Sequence, residues 1–257
     1  MDPQEEYHEN GFCVIKGLFC SSEIENLRAV LSIFHERWKK DNINFYNAKA
    51  VNSAYITDSK YLDDAQRLSL FRFICSQKIL GIAEKIFPNK PAFMNTQLFF
   101  NPKDSQQKNY WHRDLQYNPV SVEEQKKLLV DVNVIHFRIP LQPEPGLEII
   151  PGTHTRWDTE EEFSVRNEIN GRQRFDNLSS AKHISLDVGD LLVFSANMVH
   201  RGLYGLDRFS FDILFCDATR ELVQYAKPTC LPDGLLLEAI ETPDLFVNTL
   251  ELMDDFS

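Results

Sequence analysis

The stretch Tyr110-Trp111-His112-Arg113-Asp114-Leu115-Gln116 sets an imidazole and a carboxylate two residues apart. On a β-strand, residues i and i+2 point to one face, so this spacing predicts that His112 and Asp114 reach one metal ion together. A third ligand must come from a carboxylate or from the remaining histidines, His8, His35, His136, His154, His183 and His200. His200 is the choice, because it ends the apolar run Leu191 to Val199, which gives no other reason for a terminal imidazole. Two histidines and one carboxylate on one face of an octahedron suit non-haem Fe(II). Three coordination positions then stay open for a bidentate co-substrate and O₂.

Eight residues after His200, past the turn Gly202-Leu203-Tyr204-Gly205, a strand begins at Arg208. Arg208, Ser210 and Asp212 share one face of it, and Phe209, Phe211, Ile213 and Phe215 share the other. Such a strand lines a site on its polar side. An inward arginine needs an anion, since an unpaired buried charge is costly. The carboxylate of a co-substrate meets that need, with Ser210 as a further donor. Structural pairing of Arg208 with Asp212 or Glu148 is the other reading.

The elements that must position these groups follow from period and punctuation. Residues 11–19 read as a short strand. Ser22-Glu23-Ile24-Glu25 has capping-box form, and Ile24, Leu27, Leu31, Phe34 and Trp38 follow at helical spacing, which predicts a helix over 22–39. His35 falls beside that stripe and reads as a helix-surface residue. Residues 41–62 have no clear period and read as a loop or irregular strands. Two further helical patterns run through 63–87 until Pro88 stops them. From 92 onward short strands dominate: 92–100, 109–116, 130–139, 147–150, 183–186, 191–200 and 208–216, with one or two helical turns at 123–129. The charged segment 156–182 reads as a long surface loop and a candidate lid. Helices first and strands after predict an α+β chain with a mainly β core. At 257 residues that core fits one domain, with a helical part over about 20–90, strands over 92–217 and a mixed extension over 218–257.

A net charge of −11 argues against a nucleic-acid or anionic-membrane partner, since both need a basic face. Five scattered cysteines without a CxxC pair suggest neither a zinc knuckle nor a disulfide framework. The acidic start Met1-Asp2-Pro3-Gln4-Glu5-Glu6 is unlike a signal peptide, and no apolar run approaches membrane-spanning length. These features predict a cytoplasmic protein.

Taken in order, the motifs resemble those of the phytanoyl-CoA dioxygenase family of Fe(II)/2-oxoglutarate oxygenases. They are Glu9-Asn10-Gly11-Phe12 with its capped helix, Trp111-His112-Arg113-Asp114-Leu115, Pro151-Gly152-Thr153-His154, Gly189-Asp190-Leu191-Leu192-Val193-Phe194, and His200-Arg201-Gly202 before Arg208. The resemblance implies a double-stranded β-helix (a cupin-like jelly roll) flanked by N-terminal helices, with His112, Asp114 and His200 as iron ligands. It further implies that Arg208 binds the distal carboxylate of 2-oxoglutarate, that Gln97 touches the same co-substrate, and that His136 lies near a position where an aromatic flanks it. A satisfied core histidine is the other reading of His136, and His154 reads as structural.

Two departures stand out: Pro143-Glu144-Pro145-Gly146 replaces an Asn-Gly-Gly-like turn, and Gly202 stands where Ser is common. The intact Asp114 resembles the hydroxylases rather than the related halogenases, which carry a small residue there. The implied reaction oxidises a C–H bond of a small molecule with release of succinate and CO₂. Trp111, Arg113, Tyr117, Trp157 and Arg201 are candidate substrate contacts at the barrel mouth. A non-catalytic jelly-roll protein that binds a metal or small ligand is the alternative, and a zinc-type hydrolase is a third reading with no use for Arg208.

Overall fold

Apolar and polar side chains alternate along the later strands, and that alternation builds the site. The computed structural model describes residues 2–254; Met1 and the last part of the 218–257 extension, including Asp255, lie outside the described residues. The N-terminal third holds α1 (Pro3–Asn10), β1 (Phe12–Ile15), α2 (Ser21–Asp41), α3 (Ile43–Ala48), β2 (Asn52–Ala54), α4 (Asp64–Ile74) and α5 (Gln77–Ile86). Then follow β3 (Pro91–Phe100), a 3-10 turn over Asp114–Tyr117, α6 (Val122–Asp131), β4 (Val134–Pro140), β5 (Glu144–Ile149) and α7 (Glu160–Asn167). The remainder is β6 (Lys182–Leu186), β7 (Leu191–Ser195), β8 (His200–Gly202), β9 (Phe209–Asp217), α8 (Arg220–Val223), α9 (Gly234–Glu238) and α10 (Asp244–Asp254).

The strands form two antiparallel sheets. One has the order β1-β7-β4-β9-β3-β2, the other β6-β5-β8. In the larger sheet, Phe137 and Ile139 of β4, Phe211, Ile213 and Phe215 of β9 and Val193 of β7 face one way, into a core shared with the helices. The stripe Ile24, Leu27, Leu31, Phe34 and Trp38 of α2 is buried there, as its helical spacing requires. Phe246 of α10 joins the same core edge-on against Phe71 and Phe93, their ring centroids 5.1 Å away. On the opposite face, Phe12, Leu192 and Phe194 meet Leu147, Ile149, Ile184 and Leu186 of the smaller sheet. His136 and Arg138 of β4 and Ser210 and Asp212 of β9 lie on this second side, one residue out of phase with the core set.

Several local expectations are corrected. The capping box of α2 closes on Cys20, two residues before Ser22, and the Cys20 backbone N–H donates to Glu23 Oε2 at 2.8 Å. Helix α6 persists to Asp131, so β4 begins at Val134 rather than 130. The apolar run 191–200 is broken by a turn after Ser195: Met198 N–H bonds Ser195 O at 3.1 Å. His200 therefore starts a short strand of the other sheet instead of ending β7. His35 is no surface residue, since its ring packs among Trp38, Tyr46, Phe100 and Phe209.

The charged segment 156–182 is a surface loop only in part: residues 168–181 carry no helix or strand and are mostly exposed, but the portion before them is ordered otherwise. It contains α7, capped by Thr159 and Glu162, and its charges pair internally. Asp158 is buried between the guanidiniums of Arg113 and Arg166. Trp111 ties the segment down through its backbone N–H to Arg174 O and its indole N–H to Asp176 O. Among the described residues, no helix is long and apolar enough to cross a membrane.

Candidate active site

His112 and Asp114 converge, though not as neighbours on a strand face. His112 forms a single antiparallel bridge with His200, each backbone N–H bonding the other's carbonyl at 2.9 Å. Asp114 opens the 3-10 turn, with its N–H on Ala196 O. The bridge brings the two imidazoles to a centroid distance of 4.2 Å, and the turn swings the carboxylate under them. Asp114 Oδ1 lies 3.6 Å from His112 Nε2 and 3.9 Å from His200 Nε2. The three donor atoms all lie within 4.8 Å of one another.

The hydrogen bonds fit this set to a metal. His112 Nδ1 lies 3.1 Å from Tyr110 O and His200 Nδ1 lies 3.0 Å from Met198 O. A carbonyl oxygen can only accept, so both Nδ1 atoms carry the proton and both Nε2 lone pairs point inward. Burial keeps the rings neutral: it lowers His112, and with neighbouring His112 it pushes His200 down to about 3. Burial alone would raise Asp114, yet His136, His200 and His112 hold it well below the usual carboxylate range. Three uncharged or anionic donors with free lone pairs suit Fe(II).

The second oxygen of Asp114 belongs to His136, whose Nε2 is 3.0 Å away. The other ring nitrogen of His136 lies 3.1 Å from Asp212 Oδ2, and Asp212 takes Arg138 through Nε at 2.7 Å and Nη2 at 2.9 Å. Burial opposes a charge on His136, but the bonds to both carboxylates outweigh it and carry its pKa to about 9. His136 also stacks on Phe194 at 4.6 Å. It is thus a buried, fully partnered residue beside the candidate ligands.

A cavity of about 800 Å³ opens over this centre. Gln97, His136, Arg138 and Arg208 line it with the three donors. Gln97 stands opposite Asp212 in the register of β3 and β9. Arg208 is almost wholly buried, and its nearest carboxylate is neither Asp212 nor Glu148 but Glu144, 3.4 Å from its Nε without a hydrogen bond. Glu144 Oε2 accepts the Ser210 hydroxyl at 2.5 Å, so that donor is committed away from the cavity. Gly202 explains one departure from the family pattern. A Cβ there would stand 2.7 Å from Arg208 Nη2.

Of the five substrate candidates, Tyr117 lines the cavity, its hydroxyl donating to that of Tyr110. The other four do not line it. Arg113 is fully buried and donates to Asp158, Thr153 O, Asn197 O and Arg156 O. Trp157 packs against the guanidinium groups of Arg113 and Arg166. Trp111 is enclosed by Ile150, Val165, Leu178 and Val199, and Arg201 lies over its ring while pairing with Glu148. These contacts join residues 111–113 and Arg201 to the segment 156–182.

Sequence reasoning passed over Arg138, Phe99 and Tyr55, all on the cavity wall. Arg138 follows His136 by two on a strand, a signal the period-two rule could have used. Tyr55 adopts a left-handed backbone at φ 61°, a conformation rare outside glycine and frequent at functional sites.

The comparisons follow the same geometry. The sequence model of the phytanoyl-CoA dioxygenase (PhyH) family matches residues 7–203, which include all three donor residues. The chain belongs to the phytanoyl-CoA dioxygenase family. The peroxisomal phytanoyl-CoA dioxygenase of Bos taurus is 24% identical over 223 residues, 78% of this chain and 62% of that protein. The chain thus spans under two thirds of the length of this curated relative. Among solved structures, AviO1 from Streptomyces viridochromogenes Tue57 superposes with a TM-score of 0.59 at 16% identity, over 84% of this chain and 93% of that one. The epimerase SnoN in complex with Fe³⁺, α-ketoglutarate and nogalamycin RO gives 0.54 at 15% identity, over 84% and 83%. At these identities the structures establish a shared fold of helices and antiparallel sheets.

Proposed function

We propose that this phytanoyl-CoA dioxygenase family member is a non-haem Fe(II)- and 2-oxoglutarate-dependent dioxygenase that oxidises a C–H bond of a small molecule. The whole chain is read as one such unit, its two sheets forming a jelly roll. The observation that carries the reading is one cavity holding two inward Nε2 lone pairs, one carboxylate oxygen and a buried arginine that, among the described residues, has a carboxylate at 3.4 Å but no hydrogen-bonded anion. His112 Nε2, His200 Nε2 and Asp114 Oδ1 would hold the iron. When bound, iron with 2-oxoglutarate and O₂ supplies the oxidising power, the 2-oxo acid leaving as succinate and CO₂.

The chain's own residues bind, orient and exclude water. Arg208 gives the distal carboxylate of 2-oxoglutarate a cationic seat, and Gln97 offers an amide on the same wall. His136 fixes Asp114 by one oxygen and leaves the other for the metal. Leu128, Val132, Leu214 and Leu222 give the outer cavity an apolar wall, which suits a substrate with an apolar body and keeps water from the reacting C–H bond. All five cysteines are unpaired, which suits a reducing cytoplasm.

Incubating the protein with Fe(II), ascorbate, 2-oxoglutarate and O₂, without a prime substrate, tests the reading. Slow succinate formation that depends on Fe(II) is expected. Tight binding of Fe(II) and 2-oxoglutarate with no succinate, with or without a substrate panel, would favour the non-catalytic binding protein instead.

A further inference from the structure

Two guanidiniums, not one, line the inner cavity. Arg138 and Arg208 are both nearly inaccessible to solvent, and both face the ring of Phe99, at 4.1 and 5.2 Å from its centroid. Arg138 spends Nε and Nη2 on Asp212. Its third nitrogen, Nη1, is buried with no hydrogen-bond partner among the described residues. A buried donor without an acceptor costs free energy, and such groups in folded proteins are normally satisfied.

The protein's own carboxylates do not close this gap. Asp212 is shared between Arg138 and His136. Glu144, outside the cavity lining, takes the Ser210 hydroxyl on Oε2, which lies 3.4 Å from Arg208 Nε, while its buried Oε1 bonds neither guanidinium among the described residues. Burial, and then the charge of Arg138, disfavour the Arg208 cation. An anion set between the two would offset that repulsion. Ser210, the expected second donor for a co-substrate, is turned away, so the second donor must come from another side chain.

We propose that Arg138 and Arg208 form a two-guanidinium seat for the distal carboxylate of a dicarboxylic 2-oxo acid, with Arg138 Nη1 as the second anchor. The inference rests on the reading of the cavity as a 2-oxoglutarate site. Its consequence is redundancy. Removing Arg208 leaves one guanidinium, so the protein keeps a preference for a dicarboxylate.

Isothermal titration of the full-length, Fe(II)-loaded protein under anaerobic conditions tests this, with 2-oxoglutarate and the monocarboxylate 2-oxovalerate as probes. Wild type should strongly prefer 2-oxoglutarate. Arg208→Met should weaken 2-oxoglutarate by about 10- to 100-fold, the range for loss of a charge-assisted bond, and still prefer it to 2-oxovalerate by about tenfold. The paired variant Arg138→Met with Asp212→Asn removes both charges together. Because Asp212 also holds His136, the readout is the ratio of the two acids: 2-oxoglutarate should weaken at least tenfold more than 2-oxovalerate, which shares its 2-oxo acid end.

If Arg208→Met binds the two acids equally, Arg138 is only the counter-ion of Asp212 and the proposal falls. A folded paired variant that keeps the wild-type preference for 2-oxoglutarate over 2-oxovalerate overturns it too. Should the paired variant not fold, the Arg208→Met comparison decides alone. Wild type that binds neither acid overturns the co-substrate reading itself, and this inference with it.

Discussion

His136 Nε2 lies 3.0 Å from Asp114 Oδ2, and the other oxygen of that carboxylate faces both His112 and His200. One carboxylate is thus divided between a structural partner and the candidate metal. The chain His136–Asp212–Arg138 behind it is buried and hydrogen-bonded at every link, which fixes the direction of Asp114.

Replacing His136 by Ala should therefore lower metal affinity by about 10- to 100-fold, the usual cost of losing such an outer partner. Equilibrium dialysis against Fe(II) or Mn(II) reads this directly. His136→Gln, which can still donate to Asp114, should recover part of the loss. Equal affinity in wild type and His136→Ala would show that Asp114 is positioned by its turn alone.

Gly202→Ala should act on the co-substrate and spare the metal. The added Cβ would meet Arg208 Nη2 at 2.7 Å, so the guanidinium must shift. The expected result is a KM for 2-oxoglutarate raised roughly tenfold, as for a weakened charged hydrogen bond, with unchanged metal binding and melting temperature. A KM equal to wild type would mean that Arg208 has room to move without loss.

Asp158 tests the lock between Arg113, beside the candidate ligands, and α7. It is buried against Arg113 at 2.7 Å and against Arg166. Asp158→Asn leaves two guanidiniums facing each other without a counter-charge, at a cost of about 3–5 kcal/mol. Urea denaturation should show that loss. A change under 1 kcal/mol would place the pair in water.

His35 makes stability depend on pH. Burial among aromatic rings, and then the charge of Lys39, push its pKa down to about 4, from about 6.5 when unfolded. Between these values the unfolded chain binds the proton more readily, so the stability contributed by His35 is complete above pH 6.5 and is lost as pH falls to 4. With partial exposure of the ring, about 2 kcal/mol is expected. Wild type minus His35→Leu, measured at pH 7 and pH 4.5, isolates it. A difference independent of pH would contradict the buried neutral ring.

The sequence is most legible where period and burial coincide. The stripe of α2 and the alternation of β9 each follow from side chains that must share a face. The family motifs bring His112, Asp114, His200 and Arg208 into view in chain order, and all four meet in one cavity. The local geometry is not legible in the same way. Two residues of spacing suggest a strand, but the bridge between His112 and His200 and the bond from Asp114 N–H to Ala196 O bend the segment into a 3-10 turn.

Arg113 resembles a substrate contact because arginine is rarely fully buried. Its partner Asp158 lies 45 positions away, and no local pattern announces such a pair. The charges of 156–182 mislead for the same reason, since composition reports polarity and not whom the charges meet.

The central claim is that His112, Asp114 and His200 hold a catalytic iron. Iron content and succinate formation, measured side by side for wild type and for His112→Ala, Asp114→Ala and His200→Ala, test it most directly. Wild type should bind about one iron per chain and convert 2-oxoglutarate to succinate. Each variant should keep its fold by circular dichroism and lose both properties. Iron binding and succinate formation that survive in folded Asp114→Ala would contradict the account.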